Sequence, residues 1–283
     1  MAILPGLAQL ARAIYSRCMS KKNTQWFEAS IAHLNDPQDL RVWSIIVSLF
    51  GDLAQKEGAQ ISGGALTRII TPMGIKPEAI RVALHRLRKD GWIESSRSGR
   101  VSVHFLTEFG RSQSAAVTPR IYERTPPAPT EWHLLISQEG AGQATLDDVL
   151  LLPNYVAVNK YTALGHGKVP CNLEDLLAIE VSAISVPDWL KDRLFPQDLQ
   201  EACATLDTAL TAISAPPTGL DAAQIAGLRT LIVHHWRRIV LRHPGLPPQF
   251  HPASWSGETC RSRVFDLLDA LPSPDLSDLN AAP

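Results

Sequence analysis

Cysteine is scarce in this chain: Cys18, Cys171, Cys203 and Cys260 are the only four in 283 residues, and no two form a C-x-x-C pair. That spacing argues against a zinc ribbon, a dithiol redox motif and a dense disulfide scaffold. An excess of one charge is also lacking. With 27 Lys+Arg against 28 Asp+Glu, the formal net charge is -1, so any affinity for nucleic acid must come from local clustering. No run of about 18 apolar residues occurs. Arg41 and Asp52 flank even the most apolar stretch, Val42 to Phe50, so no membrane span is expected. Met1 to Ile14 is broken by Pro5, Gly6, Gln9 and Arg12 and lacks the basic start and cleavage site of an export signal. A cytoplasmic protein is expected.

Catalytic signatures are missing as well. There is no G-x-S-x-G elbow and no H-E-x-x-H helix, so the nucleophile or ligands of a hydrolase or metalloprotease cannot be named. Gly140-Ala141-Gly142 imitates a dinucleotide fingerprint without its third glycine, and Lys160 stands near the place of the acid that would bind a ribose. In Gly165-His166-Gly167-Lys168, Thr162 replaces the first glycine of a phosphate loop and Val169 its hydroxyl residue. Adjacent His234 and His235 would point about 100° apart on a helix, which is awkward for joint metal ligation. No enzyme, cofactor or metal site is expected.

What is present is ordinary globular composition, 45% hydrophobic and 19% charged, at a length that suits two or three domains. An N-terminal extension, 1–37, carries helical patterns at Leu7 to Met19 and Gln25 to Leu34, separated by polar Ser20 to Thr24. A module at 38–116 follows. It opens with a helix from Asp39 to Glu57, then a short helix, Ala65 to Ile70, opened by Gly63-Gly64 and stopped by Pro72 and Gly74. Pro77 opens the next helix, which runs to Asp90 and closes at Gly91. Trp92 to Arg97 and Val101 to Leu106 read as strands of a hairpin turning at Ser98-Gly99, with Val101, Val103 and Phe105 alternating against Ser102 and His104. Another helix begins near Thr107. A proline-rich linker lies within 117–130.

Beyond it, 131–186 reads as a small α/β domain: strands at Trp132 to Ser137, Tyr155 to Tyr161 and within Leu177 to Val186, with a helix at Thr145 to Leu152. Residues 187–283 read as a helical domain, with helices at Pro187 to Phe195, Asp198 to Ile213, Leu220 to Leu241 and Glu258 to Leu271. The last dozen residues are expected to fray. The fold class is therefore α+β and predominantly helical.

The helix after Pro77 carries the strongest functional signal. Ile80, Leu84 and Leu87 form an apolar stripe, and Arg81, His85 and Arg88 form a second row at the same spacings, with Arg86 flanking it and Val82 and Lys89 farther round. From Arg68 to Arg111 there are nine basic residues against four acidic ones. Helix, helix, glycine turn, basic helix and basic-tipped hairpin is the order of a winged helix-turn-helix. It implies that Arg81, His85 and Arg88 face bases while Lys89, Arg97 and Arg100 face phosphates, with Lys76 and Arg86 at the margin. The competing reading is a solvated charged face.

The stretch Val42-Trp43-Ser44-Ile45-Ile46-Val47-Ser48-Leu49-Phe50-Gly51-Asp52-Leu53 resembles the opening helix of the phenylacetic-acid-degradation repressor (PaaX-type) family. Gly74-Ile75 with Arg81-Val82-Ala83-Leu84-His85-Arg86-Leu87-Arg88-Lys89-Asp90-Gly91-Trp92 is similar to its recognition helix, and Arg120-Ile121-Tyr122 to the end of its winged module. Arg238, Leu241-Arg242-His243-Pro244, Leu246-Pro247 and Trp255-Ser256-Gly257 resemble its closing motif. The resemblance implies a winged helix-turn-helix, a small ferredoxin-like middle domain, a helical C-terminal domain, and repression of aromatic-acid catabolic genes that an aryl-CoA thioester relieves.

His235, Trp236, Arg237 and Arg238 are candidates for such an acyl-CoA, since Arg binds phosphates bidentately and stacks on rings. A role for them in core packing competes. The expected partner is double-stranded DNA, bound by a homodimer at an inverted repeat, because two recognition helices about 34 Å apart match half-sites one helical turn apart. Two alternatives stand beside this one: an interaction adaptor that has kept a winged helix without reading DNA, and an enzyme acting on a CoA ester.

Overall fold

The computed structural model describes residues 21–35, 41–99, 101–125, 128–152, 154–171, 173–243 and 245–281. Two compact units emerge. The first gathers the chain up to Tyr122, Leu206–Arg237 and the stretch from Thr259 onward; the second holds Glu123–Thr205 and Arg238–Glu258. Residues 187–283, read from the sequence as one helical domain, divide between the two units.

In the first unit, α1 (residues 21–34) continues through the polar stretch that the sequence suggested as a break. Asn23 accounts for this: it is buried, and its side-chain amide donates to the Thr218 carbonyl at 3.0 Å. The pattern at Leu7 to Met19 lies outside the described residues. Helix α2 (Val42–Leu53) is shorter than the expected 39–57, and Ile45, Ile46, Leu49 and Phe50 are completely buried along it. A two-residue strand, β1 (Ile61–Ser62), precedes α3 (Gly63–Ile70). Ser62 caps α3, its hydroxyl accepting from the Ala65 amide at 3.1 Å. A 3-10 turn, Thr71–Met73, then ends at Gly74, whose φ of 79° is the left-handed conformation glycine adopts without steric cost.

Pro77 stands at the start of α4 (Pro77–Lys89), where its missing N–H leaves no intrahelical bond unmade. The helix ends in a Schellman motif: the Trp92 amide donates to the Leu87 carbonyl at 2.9 Å, and the amide of left-handed Gly91 to the Arg88 carbonyl at 3.1 Å. Strands β2 (Ile93–Ser98) and β3 (Val101–Leu106) form the hairpin, and β1 pairs with the other side of β3, giving the order β1-β3-β2. Alternation along β3 buries the polar His104. His104 and Leu106 are buried while Val101 is exposed, because His104 finds a polar partner across the hairpin.

Thr107 starts α5 (Glu108–Ile121): its hydroxyl accepts from the Gly110 amide at 2.9 Å and donates to the Gly91 carbonyl at 2.6 Å, joining the end of the hairpin to the end of α4.

The second unit contains β4 (Trp132–Ser137), α6 (Gln143–Val149), β5 (Tyr155–Asn159), β6 (Thr162–His166) and β7 (Leu176–Val181). They form an antiparallel sheet of order β5-β6-β4-β7. Its two faces are covered differently. Leu135, Tyr155, Ala163 and Leu176 pack with Leu146 and Val149 of α6; Trp132, Val156 and Leu164 pack with Phe195, Leu246 and Phe250. Helix α7 (Asp188–Leu194) lies in this unit.

The remaining helices are α8 (Gln197–Ala212), α9 (Ala222–Val240), α10 (Gly257–Ala270) and α11 (Leu276–Ala281). The last of these corrects the expectation of fraying. Leu279 is buried, and the Asn280 carboxamide accepts from the Ser62 amide at 2.8 Å and donates to the Gln60 carbonyl at 2.9 Å. It thus occupies the edge of β1 as another peptide group would. Among the described residues no helix is long and apolar enough to cross a membrane.

Candidate nucleic-acid interface

Helix α4 has two opposed faces. Ile80, Ala83, Leu84 and Leu87 are buried, and Glu78, Arg81, Val82, His85, Arg86, Arg88 and Lys89 are exposed. At about 100° per residue, the outward direction falls among Glu78, His85, Lys89 and Val82, with Arg81 and Arg88 toward one margin and Arg86 toward the other. Arginine and lysine side chains therefore flank the outward direction on both sides. The only acid in the first turn of α4, Glu78, pairs with Arg81 at 3.6 Å, both side chains well exposed, an interaction that water weakens to a fraction of a kcal/mol, about 0.2–1. Arg81 remains available to a ligand.

The margins are held more firmly. Arg86 sits over the Trp43 ring at 5.3 Å and pairs with Asp90 at 3.5 Å, so the start of α2 steers its guanidinium. Arg88 leans the other way, toward the hairpin: one terminal nitrogen donates to the Ser95 hydroxyl at 3.5 Å. Ser95 in turn meets Nδ1 of His104 at 2.7 Å. Burial, and then the positive charge of Arg88, push the His104 pKa below the ordinary histidine value, so the ring stays neutral at neutral pH. This polar chain connects α4 to both strands of the hairpin. Arg88, seven residues on from Arg81, keeps the same row along α4 and lies at its edge nearest the hairpin.

Lys76 is exposed immediately before α4, and Arg97 is exposed on β2, where it pairs with Ser102 of β3. Arg100 lies outside the described residues. Two other members of the basic cluster hold the fold together: Arg68 donates to the Leu279 carbonyl at 2.6 Å and Arg111 to the Leu106 carbonyl at 2.9 Å. Neither was a candidate for ligand contact.

The candidates on α9 do not converge. Trp236 is only 2% exposed, and its indole nitrogen donates to the Ile121 carbonyl at 2.9 Å. Arg237 is half-buried and donates to the Ser48 hydroxyl at 3.1 Å; desolvation lowers its pKa from the usual arginine value. His235 is half-buried and Arg238 exposed. Four consecutive helical residues point around most of a turn, so no single pocket gathers them. Gly140 and Gly142 both have positive φ, around the isolated bridge of Gln138 with Ala141, and make a turn. Gly165 and His166 belong to β6, so the apparent phosphate loop is a strand end, with the Tyr155 ring lying where a Cβ on Gly165 would go.

Strand β1, the Ser95 to His104 contact and the role of Asn280 leave no periodic signal in the sequence. Ser62 before the glycine pair was a cap signal that could have located β1; nothing in the sequence pointed to Asn280.

Comparison with known proteins agrees in placing these residues in one family. Residues 41–110 match a family model described as PaaX-like protein, and residues 196–274 match one described as PaaX-like protein C-terminal domain. The chain is 28% identical over 251 residues to the transcriptional repressor PaaX of Escherichia coli strain K12, covering 79% of this chain and 78% of that protein. Among solved structures, uncharacterized protein Rv0674 from Mycobacterium tuberculosis superposes with a TM-score of 0.50 at 20% identity, covering 81% of this chain and 94% of that one. The likeness to Rv0674 is one of fold.

Proposed function

The chain belongs to the PaaX-like family, and from that premise we propose that it is a DNA-binding transcriptional repressor whose recognition helix is α4 in a winged helix-turn-helix. The observation that carries the reading is the outward face of α4, where exposed cations lie opposite a buried stripe and beside a hairpin. A helix of this width enters the major groove; Arg81 and His85 face base edges, Arg88 lies where the helix meets the wing, and Lys76, Arg86, Lys89, Arg97 and Arg100 face phosphates. The relative named as a repressor supports the direction of regulation. We read the four-stranded sheet of the second unit as a ferredoxin-like module, on its strand order and antiparallel pairing.

Two such helices in a homodimer match an inverted repeat. The regulated genes serve aromatic or related carboxylic-acid breakdown, and an acyl-CoA, most readily an aryl-CoA, relieves repression by favouring a conformer whose recognition helices no longer fit the half-sites. Selection of duplexes from a random pool tests DNA recognition, and titration of the selected complex with CoA thioesters tests the effector. An effector acting by coupling of about 1–3 kcal/mol shifts operator affinity roughly 5- to 150-fold. Charge reversal at Arg81 and Lys89 that leaves binding intact overturns the DNA reading, and a CoA panel without effect overturns the effector class.

A further inference from the structure

Helix α4 carries one residue that the electrostatic account does not use. Val82 is 69% exposed, in the middle of an outward face that is otherwise polar or charged. Around the helix Lys89, Glu78, His85 and Arg81 lie to one side of it, in order of distance, and Arg86 to the other. A β-branched residue on an exposed helical surface loses side-chain freedom relative to alanine and gains no burial in return. Val101, also exposed, sits on β3 beside the tip of the hairpin, so Val82 is the apolar group displayed by the helix itself.

We propose that Val82 is a specificity-determining residue that packs its isopropyl group against the C5-methyl of a thymine in the major groove. The inference rests on the reading of α4 as the recognition helix. In that groove thymine alone among the four bases presents a methyl group, and it is read by apolar contact, whereas adenine and guanine are read by hydrogen bonds. The polar neighbours cannot supply this contact. Arg81 and His85 hydrogen-bond base edges, and Lys89 and Arg86 neutralise phosphates, so the face reads hydrogen-bonding groups and shape through different side chains. Val82 lies about 60° around the helix from His85 and about 100° from Arg81, so its thymine belongs to a base pair adjacent to those they contact.

The test uses the full chain and a duplex selected from a random pool. Each thymine of the selected site is replaced singly by deoxyuridine, which keeps every hydrogen-bonding group and removes the methyl alone. The native protein loses about fourfold in affinity at one thymine per half-site, the value of one buried methyl-sized group. Val82→Ala binds the thymine duplex more weakly and its own thymine-to-uracil loss shrinks below about twofold. Alanine is the better helix former, so the variant keeps its fold, and circular dichroism verifies that. If the native protein is indifferent to every replacement, or Val82→Ala retains the full loss, the assignment is overturned while the DNA reading stands. Recovery of no preferred duplex overturns both.

Discussion

Arg229 meets Asp52 side-on, with Nε and Nη2 each donating at 2.9 Å to a different carboxylate oxygen, inside a core where the two side chains are 9% and 2% exposed. The remaining terminal nitrogen, Nη1, donates to the carbonyls of Leu268 and Leu271 at 3.0 and 2.6 Å. The Tyr122 hydroxyl donates to Asp52 at 2.6 Å, and burial followed by the Asp52 carboxylate raises its pKa, which keeps the phenol protonated as a donor. Four helices or helix ends (α2, the end of α5, α9 and α10) therefore converge on one charge pair.

Removing one partner leaves the other charge buried and unpaired. Asp52→Ala is expected to destabilise the first unit by about 3–5 kcal/mol. Tyr122→Phe, which removes one hydrogen bond to a charged acceptor, is expected to cost about 1.5–3 kcal/mol. Urea unfolding of both variants checks this, and an Asp52→Ala protein as stable as the native one contradicts it.

On a selected duplex, Arg81→Ala should relax discrimination at the bases it faces by about 1–3 kcal/mol. Lys89→Ala should weaken binding to selected and scrambled duplexes alike and reduce the magnitude of the slope of log affinity against log salt by about 0.9. Both residues lie opposite the buried stripe of α4, so both variants should fold. Binding curves at several salt concentrations separate the two roles.

Because the folded His104 pKa lies below its unfolded value of 6.5, the unfolded chain binds more protons at this site in mildly acid solution. The contribution of neutral His104 is complete above pH 6.5 and is lost as pH falls from there through the lowered folded value. Its ring is set against Ser95 and the Arg88 charge, both of which a protonated imidazole would disturb. His104→Gln should flatten the dependence of stability on pH in this range, measured by thermal unfolding from about pH 5 to 8.

Gly110 is required for space. A Cβ there would come within 2.2 Å of the Trp92 carbonyl oxygen, a backbone atom that cannot rotate away. Gly110→Ala should therefore destabilise the junction of hairpin and α5 despite improving helix propensity, by about 1–3 kcal/mol, the usual range for overpacking. An unchanged urea midpoint would contradict this.

Helix α4 was legible because its punctuation is local: Pro77 starts it, Gly91 ends it, and an apolar stripe fixes its inward face. The hairpin was legible in place, though alternation alone does not say which face is buried. His104 and Leu106 are buried while Val101 is exposed, and the hydrogen bond to Ser95 satisfies the His104 ring there. Strand β1 escaped because two residues carry no periodicity. Strand β6 was hidden because Gly165 and Gly167 imitate a loop, whereas the missing Cβ of Gly165 instead admits the Tyr155 ring. Arg88 illustrates the limit for the candidate site: spacing puts it in a row with Arg81, but the contact of its guanidinium with Ser95 on the neighbouring strand follows no helical rule.

The Asn280 carboxamide on the edge of β1 gives the first unit an order of assembly. Its partners, Gln60 and Ser62, are synthesised some 220 residues earlier, so the strand edge waits, uncovered, while the whole intervening chain emerges. Contacts of such separation form late and slowly. Until they form, a short edge with unpaired peptide groups is displayed at the side of the sheet away from β2, open to pairing with another nascent chain. A fragment ending after the hairpin and α5 is therefore expected to keep the proposed recognition helix but to leave that edge open to self-association.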